Sequence, residues 1–201
     1  MGTHLSLTAS DGFELGAYRA DPRERPKGGL VVMQEIFGVN RHIRSVCDRF
    51  AEDGYVAIAP AVFDRYQRHF ESGYSPAEIE EARKFIPRID WRAMLRDTQA
   101  AIEVVQSAGK VGIVGYCMGG TVAFLAAAKL DGLSAAIGYY GGQTAQNADL
   151  KAEGADAAAL RRPRSVDPDV GCRDRAQEAS GMRALRPPGG ARLQLRRAPD
   201  L

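Results

Sequence analysis

The sequence is poor in features that define whole classes of protein. Its three cysteines, Cys47, Cys117 and Cys172, are an odd count with no C-x-x-C spacing, so neither a disulfide framework nor a zinc site is suggested. A reducing cytoplasm is the expected compartment. No apolar run approaches the ~18–20 residues that span a bilayer, and no basic stretch leads into an apolar one at the N-terminus, so a soluble chain with no membrane partner is expected. Charge of one sign is also missing. Lys+Arg number 27 against 25 Asp+Glu, a net +2, and the early charges alternate in sign rather than forming a basic face, which argues against a nucleic-acid partner. Histidine is limited to His4, His42 and His69. From Ala152 to Leu201 there is no aromatic residue and no lysine, and apolar periodicity disappears. Such a segment buries too little to offset an ordering entropy of ~1–2 kcal/mol per residue, so it is expected to be disordered. The expected organisation is one domain over residues 1–151 followed by an anomalous tail over 152–201.

What remains in the first three quarters is an α/β pattern. Short apolar runs alternate with segments of helical period, as in a mainly parallel sheet flanked by helices. Residues 3–9 and 13–18 read as a hairpin around Asp11-Gly12, and buried strands are expected at Leu30 to Gln34, Tyr55 to Ala59, Val111 to Tyr116 and Ala135 to Tyr140. Asn40 caps an expected helix that runs to about Glu52, with Ile43, Val46, Cys47 and Phe50 on one face and Gly54 as its stop. Ser75, Pro76 and Glu78 spell a capping box with proline at the first helical position. Residues 91–107 form another amphipathic segment, in which Met94, Ala101, Ile102 and Val105 recur at about the helical period.

The run from Lys110 to Gly120 reads as a buried strand, a sharp turn and the start of a helix, which is the pattern of a nucleophile elbow. So tight a turn strains its central residue, Cys117, and needs small neighbours, which Gly115 and Gly119 supply. The helix expected over Thr121 to Lys129 points its N-terminus at Cys117 and favours a thiolate. An arbitrary free cysteine is most often a small buried hydrophobe, and Cys47, on the apolar face of its helix, fits that description. Cys117 does not.

Three segments carry a resemblance: Gln34-Glu35-Ile36-Phe37-Gly38-Val39-Asn40, Gly115-Tyr116-Cys117-Met118-Gly119-Gly120 and Gly138-Tyr139-Tyr140-Gly141-Gly142. In order and spacing they resemble the hallmark runs of the dienelactone hydrolase family, over about residues 5–151. The resemblance implies an α/β-hydrolase fold whose C-terminal part is incomplete here. It also implies a carboxymethylenebutenolidase-like hydrolase that opens an enol-lactone or related small ester through a thioester, with no metal or organic cofactor. By the same resemblance Cys117 is the nucleophile, Glu35 is the resting partner of its thiol, and the backbone N–H groups of Ile36 and Met118 form the oxyanion hole. The chain is expected to be a monomer. Tyr139 or Tyr140 is a candidate for the pocket wall, whereas Arg65 and Arg68 read as solvated loop charges rather than substrate anchors.

The triad implied by the family runs nucleophile, acid, histidine along the chain. No histidine follows Cys117, and neither Asp167 nor Asp169 stands in a strand-then-loop context. The family's run Gly-His-Gly-Phe-Asn-Cys-Asp-Glu-Arg, written in GC-rich codons and read from its third base, gives Ala-Arg-Leu-Gln-Leu-Arg-Arg-Ala, which is residues 191–198. The family's His-Phe-Gly-Glu run gives residues 159–162 in the same frame. A change of reading frame near residue 151 is therefore expected, leaving an impaired hydrolase; the rival account of the tail is a genuinely divergent, basic disordered arm. The alternative is a non-catalytic binding module or a non-functional truncated product.

Overall fold

The computed structural model describes residues 2–144. The expectations for the tail, including Cys172, Asp167, Asp169 and the altered frame, lie outside the described residues. Six strands form one sheet in the order β1-β2-β4-β3-β5-β6, with β1 over Thr3–Thr8, β2 over Glu14–Ala20, β3 over Gly29–Met33, β4 over Val56–Pro60, β5 over Val111–Tyr116 and β6 over Leu133–Tyr139. The β1–β2 hairpin turns at Gly12, whose φ of 78° suits glycine. β2 runs antiparallel to β4, while β4, β3, β5 and β6 are mutually parallel. Every strand expected from the sequence is present, and the ends differ by one or two residues.

Alternation along the strands sends side chains to two cores. Val31 and Met33 of β3, Ile58 of β4 and Ile113 of β5 enter the larger one, together with Met94, Ile102 and Val105 of α3 (Trp91–Val105) and Val122 and Leu125 of α4 (Met118–Lys129). Val32, Ala57, Ala59 and Val114 face the other way, onto Ile43, Val46 and Cys47 of α1 (Arg41–Glu52). Parallel strands covered on both faces must be apolar throughout, and β4 is buried at every residue.

The helix ends follow the capping chemistry. Asn40 Oδ1 accepts from the N–H groups of His42 (3.1 Å) and Ile43 (3.2 Å), and its Nδ2 donates to the Ser72 carbonyl at 3.0 Å. Asn40 thereby fixes both the start of α1 and the loop that carries Tyr74. The capping box at Ser75 and Glu78 opens α2 (Pro76–Arg83) as expected. Asp90 caps α3 through the N–H groups of Arg92 and Ala93.

One sequence expectation fails here. Arg65 is no solvated loop charge, because its side chain is 12% exposed and grips the fully buried Asp97. Nη2 lies 2.7 Å from Asp97 Oδ1 and Nε 2.8 Å from Oδ2, while Nη1 lies 3.0 Å from Asp11 Oδ2. Asp97, Asp11 and the Phe13 ring 4.4 Å beneath the guanidinium use its binding capacity, so it ties the hairpin to α3. Arg68 is held in the same neighbourhood by the Glu14 carbonyl at 2.6 Å.

Candidate active site

In an open α/β sheet, ligands bind outside the carboxyl ends of the strands where the strand order reverses. Here that point is β3. The chain goes from β3 to β4 on one side, then returns to place β5 on the other, with α1 and α3 packed on opposite faces. Met33 pairs with Gly115 at the ends of β3 and β5, and the chains continue from that pair to Glu35 and Cys117. Two residues 82 positions apart in sequence are thus set side by side in topology.

Cys117 has φ 53° and ψ −119° and is the N-cap residue of α4. A non-glycine residue in such a region costs about 1–3 kcal/mol and persists only when its surroundings dictate it. Its surroundings do. A Cβ on Gly115 would overlap the Gly119 carbonyl, and one on Gly119 would lie 2.5 Å from the carbonyl oxygens of both Met33 and Gln34. The Cys117 N–H donates to the Tyr139 carbonyl at 3.0 Å, and its carbonyl accepts from the Gly120 N–H at 2.9 Å. The helix begins at Met118, inside the run that the sequence reads as strand, turn and helix start, so Cys117 adjoins the positive end of the helix directly. The two described cysteines differ sharply. Cys117 is partly exposed, whereas Cys47 is wholly buried, and burial, reinforced by the charge of Asp48, pushes its thiol up to about 12.

Glycine at 119 lets the first turn of α4 rest against the Met33–Gln34 backbone, so the peptide units of Met118 and Ile36 start from adjoining points of the fold. Both residues have buried side chains. Their main chains are the candidate oxyanion donors.

Glu35 is half-buried and accepts two tyrosine hydroxyls. Tyr74 donates to Oε2 at 3.3 Å and Tyr140 to Oε1 at 3.2 Å. Burial raises the Glu35 pKa above the ordinary value, and His42, Tyr140 and Tyr74 oppose that rise only in part. Burial, and then the charges of Glu35 and Cys117, push the Tyr140 hydroxyl far above the ordinary tyrosine range, which keeps it a donor. Tyr140 is therefore near both groups. Its own backbone is also unusual, with φ 41°. Tyr74 is held by an edge contact with Phe37, with ring centroids 4.8 Å apart.

Of the two tyrosines singled out from the sequence, Tyr140 joins the site. Tyr139 stacks on Tyr116 at 5.3 Å with nearly parallel rings. Sequence reading missed Tyr74, which no local motif links to Glu35, and His42, whose place in the first turn of α1 brings its charge within reach of Glu35. His4 meets the Tyr18 ring edge-on in the hairpin, and His69 sits with φ 56° near Asp64. Among the described residues no group of three or more His, Cys, Asp or Glu side chains is placed to hold a metal, and no helix is long and apolar enough to cross a membrane.

Comparison with known proteins bears on this arrangement. The family model described as the dienelactone hydrolase family matches residues 15–180, which extends past residue 151. The chain is 37% identical over 142 residues to a carboxymethylenebutenolidase of Pseudomonas putida, covering 68% of this chain and 60% of that protein. It is 32% identical over 142 residues to carboxymethylenebutenolidase 1 of Cupriavidus pinatubonensis, with the same two coverages of 68% and 60%. Among solved structures, the "Putative Dienelactone Hydrolase" of Klebsiella pneumoniae superposes with a TM-score of 0.60 at 31% identity, over 70% of this chain and 60% of that one. The chain thus spans about 60% of the length of these relatives. With a matched model over most of its length and an α/β-hydrolase sheet bearing the elbow, the chain belongs to the dienelactone hydrolase family.

Proposed function

We propose that Cys117 is the nucleophile of a hydrolase acting on a small enol-lactone or activated ester. The observation that carries this reading is the strained elbow. Cys117 is held at φ 53° between β5 and α4, partly exposed, at a helix N-terminus and at the sheet's switch point. The sulfur attacks the acyl carbonyl carbon, and the developing oxyanion is received by the N–H groups of Ile36 and Met118. Collapse breaks the bond to the ring oxygen, which departs as an enolate still tethered to the acyl chain, and leaves a thioester on Sγ. An enolate leaves readily, so little acid assistance is needed. Water then cleaves the thioester and restores the thiol.

Glu35 is the group that takes the thiol proton when substrate arrives. Its raised pKa supports this role, because it narrows the gap between carboxyl and thiol and makes the transfer less uphill. Tyr74 and Tyr140 hold the carboxylate in place as donors.

Hydrolysis of the thioester calls for a general base, and no histidine follows Cys117 in the sequence. These 201 residues by themselves are accordingly expected to acylate and then stall. Mixed with 4-nitrophenyl acetate, it should release about one equivalent of nitrophenolate in a burst and then turn over very slowly. Cys117→Ala should abolish the burst. Sustained cysteine-dependent turnover would show that the chain is not impaired. The non-catalytic reading, which the missing histidine favours, is the answer if Cys117 can be alkylated but gives no burst.

A further inference from the structure

We infer that Gln34 is a positioning residue for the oxyanion hole, acting by gripping the peptide unit that carries the Ile36 N–H. This rests on the reading that the Ile36 N–H receives the oxyanion. Gln34 is fully buried at the end of β3, and its Nε2 donates to the Glu35 carbonyl oxygen at 3.2 Å. The Glu35 carbonyl and the Ile36 N–H belong to one planar peptide unit, and no peptide bond of the described chain is cis. In a trans unit the two groups point in opposite directions. A buried side chain that holds this carbonyl therefore fixes the direction of the Ile36 N–H on the opposite side of the peptide unit. The same hydrogen bond polarises the peptide, which makes its N–H a stronger donor.

The other half of the amide gives an independent argument. Gln34 Oε1 is buried and has no hydrogen-bond partner among the described residues. An unsatisfied buried oxygen destabilises a fold and offsets what the Nε2 hydrogen bond contributes, so stability alone gives glutamine little advantage over an apolar side chain of the same shape. A glutamine at this place is explained by what its NH2 group does. The carbonyl it faces can be approached only by a donor, so the amide orientation is fixed.

The test separates a reaction that passes through an oxyanion from one that does not. When 4-nitrophenyl acetate acylates Cys117, a C–S bond forms, the C–O bond breaks, and 4-nitrophenolate leaves after a tetrahedral oxyanion. When iodoacetamide alkylates Cys117, sulfur displaces iodide at carbon and no oxyanion develops. Gln34→Met should slow acylation about tenfold, a fraction of the 10²–10³ lost when an oxyanion donor is removed outright. Its alkylation rate and its urea midpoint should stay near wild type. Gln34→Glu, which sets a carboxylate oxygen against the carbonyl, should depress the ratio of acylation to alkylation further. An unchanged ratio in either folded variant overturns the proposal, and so does loss of the fold in both, which would make Gln34 a core element only. If wild type is alkylated yet never acylated, the nucleophile reading itself fails, and that outcome is visible before any variant is made.

Discussion

Gly119→Ala sets two physical effects against each other. In an ordinary helix the change would stabilise by about 1 kcal/mol, because alanine is the better helix former. Gly119 lies in the first turn of α4, however, and an added Cβ would sit 2.5 Å from the carbonyl oxygens of Met33 and Gln34. Real Cβ contacts essentially never fall under 3.0 Å, and ordinary contact begins at 3.4 Å. The helix start must therefore retreat from β3 by roughly 0.5–0.9 Å, and both atoms it meets are main chain, so no side chain can yield instead. Overpacking of this kind costs about 1–3 kcal/mol, which outweighs the propensity gain. The same retreat draws the Met118 N–H away from that of Ile36. Misplacement by about 1 Å can cost 10²-fold in rate, so acylation of Cys117 by 4-nitrophenyl acetate should fall about 10–100-fold while alkylation by iodoacetamide changes little. Urea unfolding should show the loss of stability. Gly142→Ala, where an added Cβ meets nothing within 4 Å among the described residues, should be silent in every assay. If Gly119→Ala is as stable and as readily acylated as wild type, the close approach of elbow and β3 is not what holds the site.

Three further outcomes are expected. Arg65→Met should destabilise by about 3–5 kcal/mol in urea, because it strands the fully buried Asp97 carboxylate, and the double variant with Asp97→Leu should recover much of that loss. Glu35→Gln should be more stable than wild type at pH 8 and equal to it in acid. Burial raises the Glu35 pKa in the fold, so the native state holds its proton more tightly than the unfolded chain, and stability declines as pH rises from the ordinary glutamate value through the raised one. Chemical denaturation across that window measures the difference. Cys47 should resist iodoacetamide in the native protein at pH 8 and react only when urea unfolds it, whereas the Cys117 peptide should be labelled under native conditions.

Features written in local chemistry were legible in the sequence. The apolar runs of β3 and β5, the Asn40 cap, the Ser75–Glu78 capping box and the glycine-flanked Cys117 each depend on neighbours a few residues away, and each was found where expected. Gly119 and Gly120 are weak helix formers, and close packing overrides that weakness in the first turn of α4. Features assembled by long-range contact left no trace. Arg65 meets Asp97 across 32 residues and Asp11 across 54, and Tyr140 reaches Glu35 across 105, so neither pairing follows from spacing. Arg65 therefore looked like a solvated charge, and Tyr74 did not stand out. The strand order, which makes β3 the switch point, emerges only when β5 returns to the far side of β3 from β4.

The most direct test is to expose the chain briefly to cis-dienelactone, quench in acid and map the peptides by mass spectrometry. A thioester adduct should appear on the peptide carrying Cys117 and be absent from Cys117→Ala. An unmodified Cys117 in protein that still reacts there with iodoacetamide, or an adduct carried by another residue, would contradict the assignment of Cys117 as nucleophile.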